Sequence, residues 1–229
     1  MSQHNRLPVY LLLDTSGSMT GEPINQVEQG IRMLLADLRN DGSASETAYL
    51  SVITFNSQAE QITPLQDVFT FEPPVLKTGG VTALGEALEF VAARAQEEVI
   101  KKTPDTRGDW RPIIILMSDG EPTDDWKAGL EKFRKVKWAA KIACAVNKAN
   151  RDVLREVISG NKTTEDTPNY DPDSYLVAID TAYPGQMKAL FEWLSGSIKQ
   201  TSQSIGGGNT SETGGVLPPL PDEIDLMGI

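Results

Sequence analysis

Apolar runs of four to eight residues, rich in β-branched side chains, alternate along this chain with longer stretches in which apolar residues recur every three or four positions. That alternation predicts strands linked by crossover helices, and therefore a mostly parallel sheet. Strands are expected at residues 8–13, 48–55, 59–62, 113–117, 141–146 and 175–179. The run Ile113-Ile114-Ile115-Leu116-Met117 has no polar position and suits a central strand covered on both faces. Segment 59–62 follows its neighbour after only Asn56-Ser57-Gln58, too short for a parallel crossover, so it should be an antiparallel edge. The first helix opens at Pro23 and places Ile24, Val27, Ile31, Leu34, Leu35 and Leu38 on one stripe. Further helices are expected at 83–102, with Leu84, Leu88, Val91 and Ala95 inward, and at 186–200, with Met187, Leu190, Phe191, Leu194 and Ile198 inward. Shorter ones fit 126–136 and 151–158. The fold class expected is α/β: a doubly wound, mostly parallel central sheet with one antiparallel edge strand and helices on both faces.

The chain has 229 residues, 39% of them hydrophobic, which fits one domain over residues 1–203. Residues 204–229 read as a flexible linker, with Gly206-Gly207-Gly208 and Gly214-Gly215, followed by an acidic and apolar tail. From composition that tail is either a disordered terminus or a docking peptide. A formal net charge of -11 argues against a nucleic-acid partner, which would need clustered Lys and Arg. Cys144 is the single cysteine and lies in an apolar run, so a buried thiol and no internal disulfide are expected. The N-terminal apolar segment ends at Asp14, too soon for a signal peptide, and no apolar window approaches a membrane span of roughly 18 to 20 residues. A cytoplasmic location is therefore expected, with the sequons at Asn161 and Asn209 as chance matches.

Candidate chemistry begins at Asp14-Thr15-Ser16-Gly17-Ser18, directly after the first apolar run. A carboxylate and two hydroxyls stand at i, i+2 and i+4 on a turn, an all-oxygen donor set of the kind a hard cation such as Mg²⁺ takes. Thr78-Gly79-Gly80-Val81-Thr82 brings hydroxyls to a glycine-bearing loop before a helix, and Ser118-Asp119-Gly120 closes the most apolar strand with a second carboxylate. Each has a plain structural explanation when taken singly: Asp and Ser favour turns, Thr82 suits a helix N-cap, and Asp119 precedes a glycine. Their joint occurrence at three strand ends is where an open α/β sheet gathers ligands.

Together, Asp14-x-Ser16-x-Ser18, Thr82 before Ala83-Leu84-Gly85-Glu86-Ala87-Leu88, and Ser118-Asp119-Gly120 resemble a von Willebrand factor A (VWA) domain over roughly residues 7–200. The resemblance implies a metal-ion-dependent adhesion site (MIDAS) with Asp14, Ser16, Ser18, Thr82 and Asp119 as metal ligands. Mg²⁺ or Mn²⁺ would be the ion, and a protein partner would donate an Asp or Glu to it. If the three hydroxyls bind directly while both carboxylates act through waters, the ion keeps most of its charge and one vertex for that acid. The segment Asp119-Gly120-Glu121-Pro122-Thr123-Asp124 is similar to TerY-type tellurium-resistance proteins. That likeness implies a role in tellurite or chemical-stress response, with kinase and phosphatase partners. Asp222, Glu223 and Asp225 on the tail raise self-association, with a tail acid reaching a neighbouring copy's metal.

Rival readings are weaker. A Mg²⁺-dependent phosphotransfer enzyme of the haloacid-dehalogenase type needs a general acid two residues after its nucleophile, where this chain has Ser16. Triad catalysis has only His4 to draw on, near the N-terminus. Asp-Thr-Ser-Gly occurs once and does not form an aspartic-protease dyad, and no Gly-Lys-Ser/Thr follows Thr78-Gly79-Gly80 to bind a nucleotide. Arg107-Gly108-Asp109 reads as a chance tripeptide. Lys132, Arg134, Lys135, Lys137 and Lys141 read as a solvated helix face, and Trp126 as a packing residue near the site's rim. No enzymatic activity is expected.

Overall fold

The computed structural model describes residues 5–159, 174–206 and 225–226. Strand β1 (Leu7–Asp14) is buried along its whole length. Its alternate side chains divide between two cores: Val9, Leu11 and Leu13 face one, Tyr10 and Leu12 the other. Strand β4 (Ile113–Ser118) divides the same way, with Ile113, Ile115 and Met117 opposite Ile114 and Leu116. This is what an unbroken apolar strand requires: a covered layer on each side.

Helix α1 (Glu22–Arg39), the short α2 (Gly42–Thr47) and α6 (Pro184–Gly206) supply the first layer, joining Ile31, Leu34 and Leu38 to Leu190, Phe191 and Leu194. The second layer comes from α3 (Leu84–Glu98), α4 (Trp126–Phe133) and α5 (Arg151–Ile158). Between them lie β2 (Ala48–Phe55), β3 (Ala59–Asp67), β5 (Ala140–Val146), β6 (Ser174–Ile179) and β7 (Asp225–Leu226), in the order β3-β2-β1-β4-β5-β6-β7. The five strands from β2 to β6 in that order are mutually parallel, and β3 is antiparallel to β2. The doubly wound α/β class expected from the periodicity is therefore the observed one. Strand order reverses between β1 and β4, and the two strands pair from Val9↔Ile113 to Leu13↔Met117.

Where element limits differ from the sequence expectation, local chemistry gives the reason. β3 runs five residues beyond 62 despite Pro64, because an edge strand tolerates a missing donor and the β2–β3 register shifts opposite that stretch. α3 stops at Glu98 rather than 102: Pro104 cannot continue a helix, and the Ile100 amide turns instead to the Asp109 carboxylate at 2.7 Å. α2 has no apolar stripe to announce it and is capped by Asp41, which accepts from the Ser43 and Ala44 amides. α6 extends to Gly206, past the composition change at Ser202. The far edge carries an additional antiparallel strand, β7, on β6. His4 and both sequons lie outside the described residues.

Candidate metal centre

Asp14 is the last residue of β1 and Asp119 follows the last residue of β4, so adjacent parallel strands deliver both carboxylates to the same carboxyl end of the sheet. Asp14 is fully buried. Its Oδ1 accepts the Ser16 amide at 2.8 Å and its Oδ2 the Ser118 hydroxyl at 2.6 Å. The Ser16 and Ser18 hydroxyls lie 3.1 Å apart, and Ser18 donates to Asp119 Oδ1 at 2.7 Å. A continuous chain of oxygens thus runs from Ser16 through Ser18 to Asp119. Ser16 is 2% exposed and Asp119 9%, while Ser18 faces solvent.

The glycine loop closes the third side. The Gly79 amide donates to the Thr15 carbonyl at 2.8 Å and the Gly17 amide to the Gly80 carbonyl at 3.2 Å, stitching the 78–82 loop to the 15–18 turn. Gly80 adopts a left-handed φ of 74°, and a Cβ there would stand 2.4 Å from the Ser57 hydroxyl, so only glycine fits this crossing. Thr82 is 5% exposed, and a Cβ on Gly120 would come 2.9 Å from its hydroxyl. The absent side chain at 120 therefore leaves room for the Thr82 hydroxyl beside the 118–120 turn. All five sequence-predicted residues converge on one end of the sheet.

Two contributors were not singled out as functional from sequence. Ser118 holds Asp14, a role that its place beside Asp119 at a strand end could have suggested. Asp124 accepts the Gly85 and Glu86 amides at 3.0 Å each, capping α3 from another loop, while the Thr123 amide donates to the Thr82 carbonyl at 2.8 Å. The α3 cap thus comes from Asp124 and not from Thr82, which removes the N-cap explanation for that threonine. No local pattern signals Asp124, because the helix it caps lies about forty residues away in the chain.

Electrostatics favour a cation. Burial raises the Asp14 carboxyl above its ordinary range, the hydrogen bonds from Ser118 and Ser16 oppose that shift, and the like charge of Asp119 adds to it. The charge acting on this buried acid is thus another acid. Two carboxylates and three hydroxyls, all oxygen donors with no compensating cation in their hydrogen-bond chain, match a small hard divalent ion. Among the described residues no group of three His, Cys, Asp or Glu gathers into a candidate metal cluster.

Neighbouring features take ordinary roles. Asp109 of the Arg107-Gly108-Asp109 tripeptide is buried and ion-paired with Arg6, so the tripeptide is not displayed as a unit. Lys132 pairs with Glu89, and Arg134 donates to the Glu156 carbonyl. Trp126 is half-buried against the second core. Cys144 is buried, its thiol pushed up to about 12 by desolvation. No helix among the described residues is long and apolar enough to cross a membrane.

The von Willebrand factor type A domain model matches residues 9–178. No curated protein matches the sequence. Among solved structures, a von Willebrand factor type A protein from Catenulispora acidiphila superposes with a TM-score of 0.60 at 14% identity, over 86% of this chain and 43% of that one. The open pilus adhesin SpaC from Lactobacillus rhamnosus GG gives 0.61 at 14% identity, over 86% of this chain and 30% of that one. The ArnB paralog VWA2 from Sulfolobus acidocaldarius gives 0.55 at 17% identity, over 84% and 45%. This chain spans less than half the length of each of the three, and at these identities the likeness is one of fold.

Proposed function

Because this chain belongs to the von Willebrand factor type A domain family, we propose that it is a metal-dependent protein-interaction module whose MIDAS captures a partner's carboxylate. The observation that carries this reading is the oxygen chain from Ser16 and Ser18 to Asp119, set beside buried Asp14 at the strand-order reversal. Asp14, Ser16, Ser18, Thr82 and Asp119 would hold Mg²⁺ or Mn²⁺. The ion, when bound, supplies a Lewis-acidic vertex for an Asp or Glu of the partner. The chain's own residues do the rest: Ser118 and the Ser16 amide fix Asp14, and the glycine loop, stitched to the 15–18 turn, carries Thr82 to the same end of the sheet.

We read the site as binding and not catalytic, since Ser16 stands where a phosphotransfer enzyme of this geometry would need its general acid. The likeness of Asp119-Gly120-Glu121-Pro122-Thr123-Asp124 to TerY-type proteins extends the proposal to a cytoplasmic tellurite or chemical-stress response with kinase and phosphatase partners. Isothermal titration of Mg²⁺ and Mn²⁺ into wild type and Asp14→Ala, followed by binding of an Asp-bearing peptide with and without chelator, tests the core claim. Saturable metal binding lost in the variant, and peptide capture only with metal, are expected. Absence of metal binding by the wild type defeats the proposal.

A further inference from the structure

Charge is segregated along the strands of this sheet. The connection from α3 to β4 (residues 99–112) and that from α4 to β5 (residues 134–139) enter adjacent parallel strands at their amino ends, and the Ala139 amide donates to the Pro112 carbonyl at 2.8 Å where they meet. These two connections hold seven of the chain's 21 Lys and Arg and only two acids, Asp105 and Asp109, on a molecule of net charge -11. Asp109 is taken up by Arg6 and the Ile100 amide, and Arg134 by the Glu156 carbonyl. Lys101, Lys102, Arg107, Arg111, Lys135 and Lys137 are exposed, and none of them has an ion pair among the described residues. We propose that this basic pole is a docking surface for a short acidic segment of another protein, one that carries an apolar residue among its Asp and Glu.

The surface is fixed by its own backbone. The Asp109 amide donates to the Ile100 carbonyl at 2.8 Å, and the Ile100 amide donates to the Asp109 carboxylate at 2.7 Å, which closes residues 100–109 into a loop. A Cβ on Gly108 would stand 2.4 Å from the Lys102 nitrogen, so the two arms of that loop touch and hold the backbones of Lys102 and Arg107 side by side. Ile100 is pinned at both its amide and its carbonyl, yet its residue is 45% exposed. An aliphatic side chain displayed among unpaired cations is complementary to an apolar residue flanked by acids. Lys135 and Lys137 lie beyond α4, which ends at Phe133 and not at 136, so they belong to this surface and not to the solvated helix face expected from the sequence.

A protein segment fits the pole better than a nucleic acid does. The net charge of -11 repels a long polyanion, whereas a short segment meets only the local cations, within the roughly 8 to 10 Å over which charge acts at physiological salt. The pole also presents no free ring for bases to stack on: Trp138 is stacked on Phe133 with ring centres 5.0 Å apart, and Trp110 packs against the first core. The metal centre stands at the other end of the same strands, the six residues of β4 or about 20 Å away, so the two surfaces can be filled independently.

The test titrates the full chain with a fluorescent peptide, a leucine flanked by three glutamates on each side, with chelator present throughout so that capture at the metal centre does not contribute. Saturable binding that weakens as salt rises is expected. Lys135→Glu with Lys137→Glu, or Lys101→Glu with Lys102→Glu, should raise Kd about tenfold, and Ile100→Ser about threefold. The same reversal at Lys148 and Arg151, exposed beyond the carboxyl end of β5, should leave Kd within about twofold. A single-stranded oligothymidylate of matching charge is expected to bind more weakly than the peptide. No saturable binding by the wild type, equal losses in the pole and control variants, or tighter binding of the oligonucleotide would each overturn the proposal. Melting temperatures matching wild type show that the variants are folded, and a pair that fails this control is replaced by Lys→Gln at the same positions under the same criteria.

Discussion

Replacing Asp14 with Asn should make the metal-free protein more stable while abolishing its response to metal. The carboxylate is fully buried and its strongest influence is desolvation, with Asp119 repelling it as well. Asn keeps the shape: its oxygen can accept the Ser16 amide, and its amide can donate to the Ser118 hydroxyl, which reverses its role. Removing the buried charge should then stabilise the metal-free fold by about 1 to 2 kcal/mol. In a domain of this size that raises Tm by a few degrees, at roughly 2 to 4 °C per kcal/mol. Wild type with Mg²⁺ at about a hundred times its Kd should gain about 2.7 kcal/mol, or about 5 to 10 °C, and the variant nothing. The order of melting temperatures therefore inverts when metal is added. The pH dependence carries the same sign. With its pKa raised, Asp14 binds a proton more readily folded than unfolded, so the metal-free wild type gains stability as pH falls from neutral through the raised value. That gain is complete below the ordinary carboxylate value of 3.8, and the variant lacks it. Scanning calorimetry at several pH values, with chelator and with Mg²⁺, measures all of this. A metal-free variant that melts below wild type, or one that keeps the metal shift, refutes the reasoning.

Gly120→Ala should weaken metal binding by about tenfold or more, read by titration, because its Cβ would crowd the Thr82 hydroxyl at 2.9 Å. Gly30→Ala should cost about 1 to 3 kcal/mol in denaturant unfolding: the new Cβ would fall 2.0 Å from the buried Phe191 ring, where α1 crosses α6. Asp109→Ala should cost about 2 kcal/mol, since it removes the carboxylate that pairs with Arg6 and accepts the Ile100 amide, leaving Arg6 only the Glu98 carbonyl, whereas exposed Arg107→Ala should leave Tm within a degree or so.

The elements legible in the sequence were those whose chemistry is local. β1 and β4 were readable because each is apolar without interruption, and the five candidate ligands because each sits within a few residues of a strand end or helix start. What stayed hidden depends on residues far apart. Asp124 caps α3 from about forty residues along the chain, the Asp109 carboxylate turns the chain at Ile100, and β7 pairs with β6 although residues 180–224 lie between them in sequence. α2 was missed for a different reason: six residues with no apolar stripe carry no periodic signal, and only the Asp41 cap betrays them.

That division has a consequence for where the site is vulnerable. The five candidate ligands make few bonds of their own to the scaffold; Asp14 is held by Ser118, and Thr82 by its carbonyl's bond from Thr123 on the loop that Asp124 fastens to α3. Asp124→Ala removes two amide partners from the first turn of α3, a loss of about 1 kcal/mol by the usual value of a helix cap. The same change frees the loop whose Thr123 amide holds the Thr82 carbonyl, and on the proposed reading Thr82 is one of the ion's ligands. Metal affinity should therefore fall by more than the lost cap alone would give, while Asp41→Ala, an equivalent cap on the remote α2, should lower stability by a similar amount and leave affinity intact. Measuring both variants by calorimetric titration separates a site held by its surroundings from one that only shares the global stability of the fold, and equal affinities in the two would favour the latter.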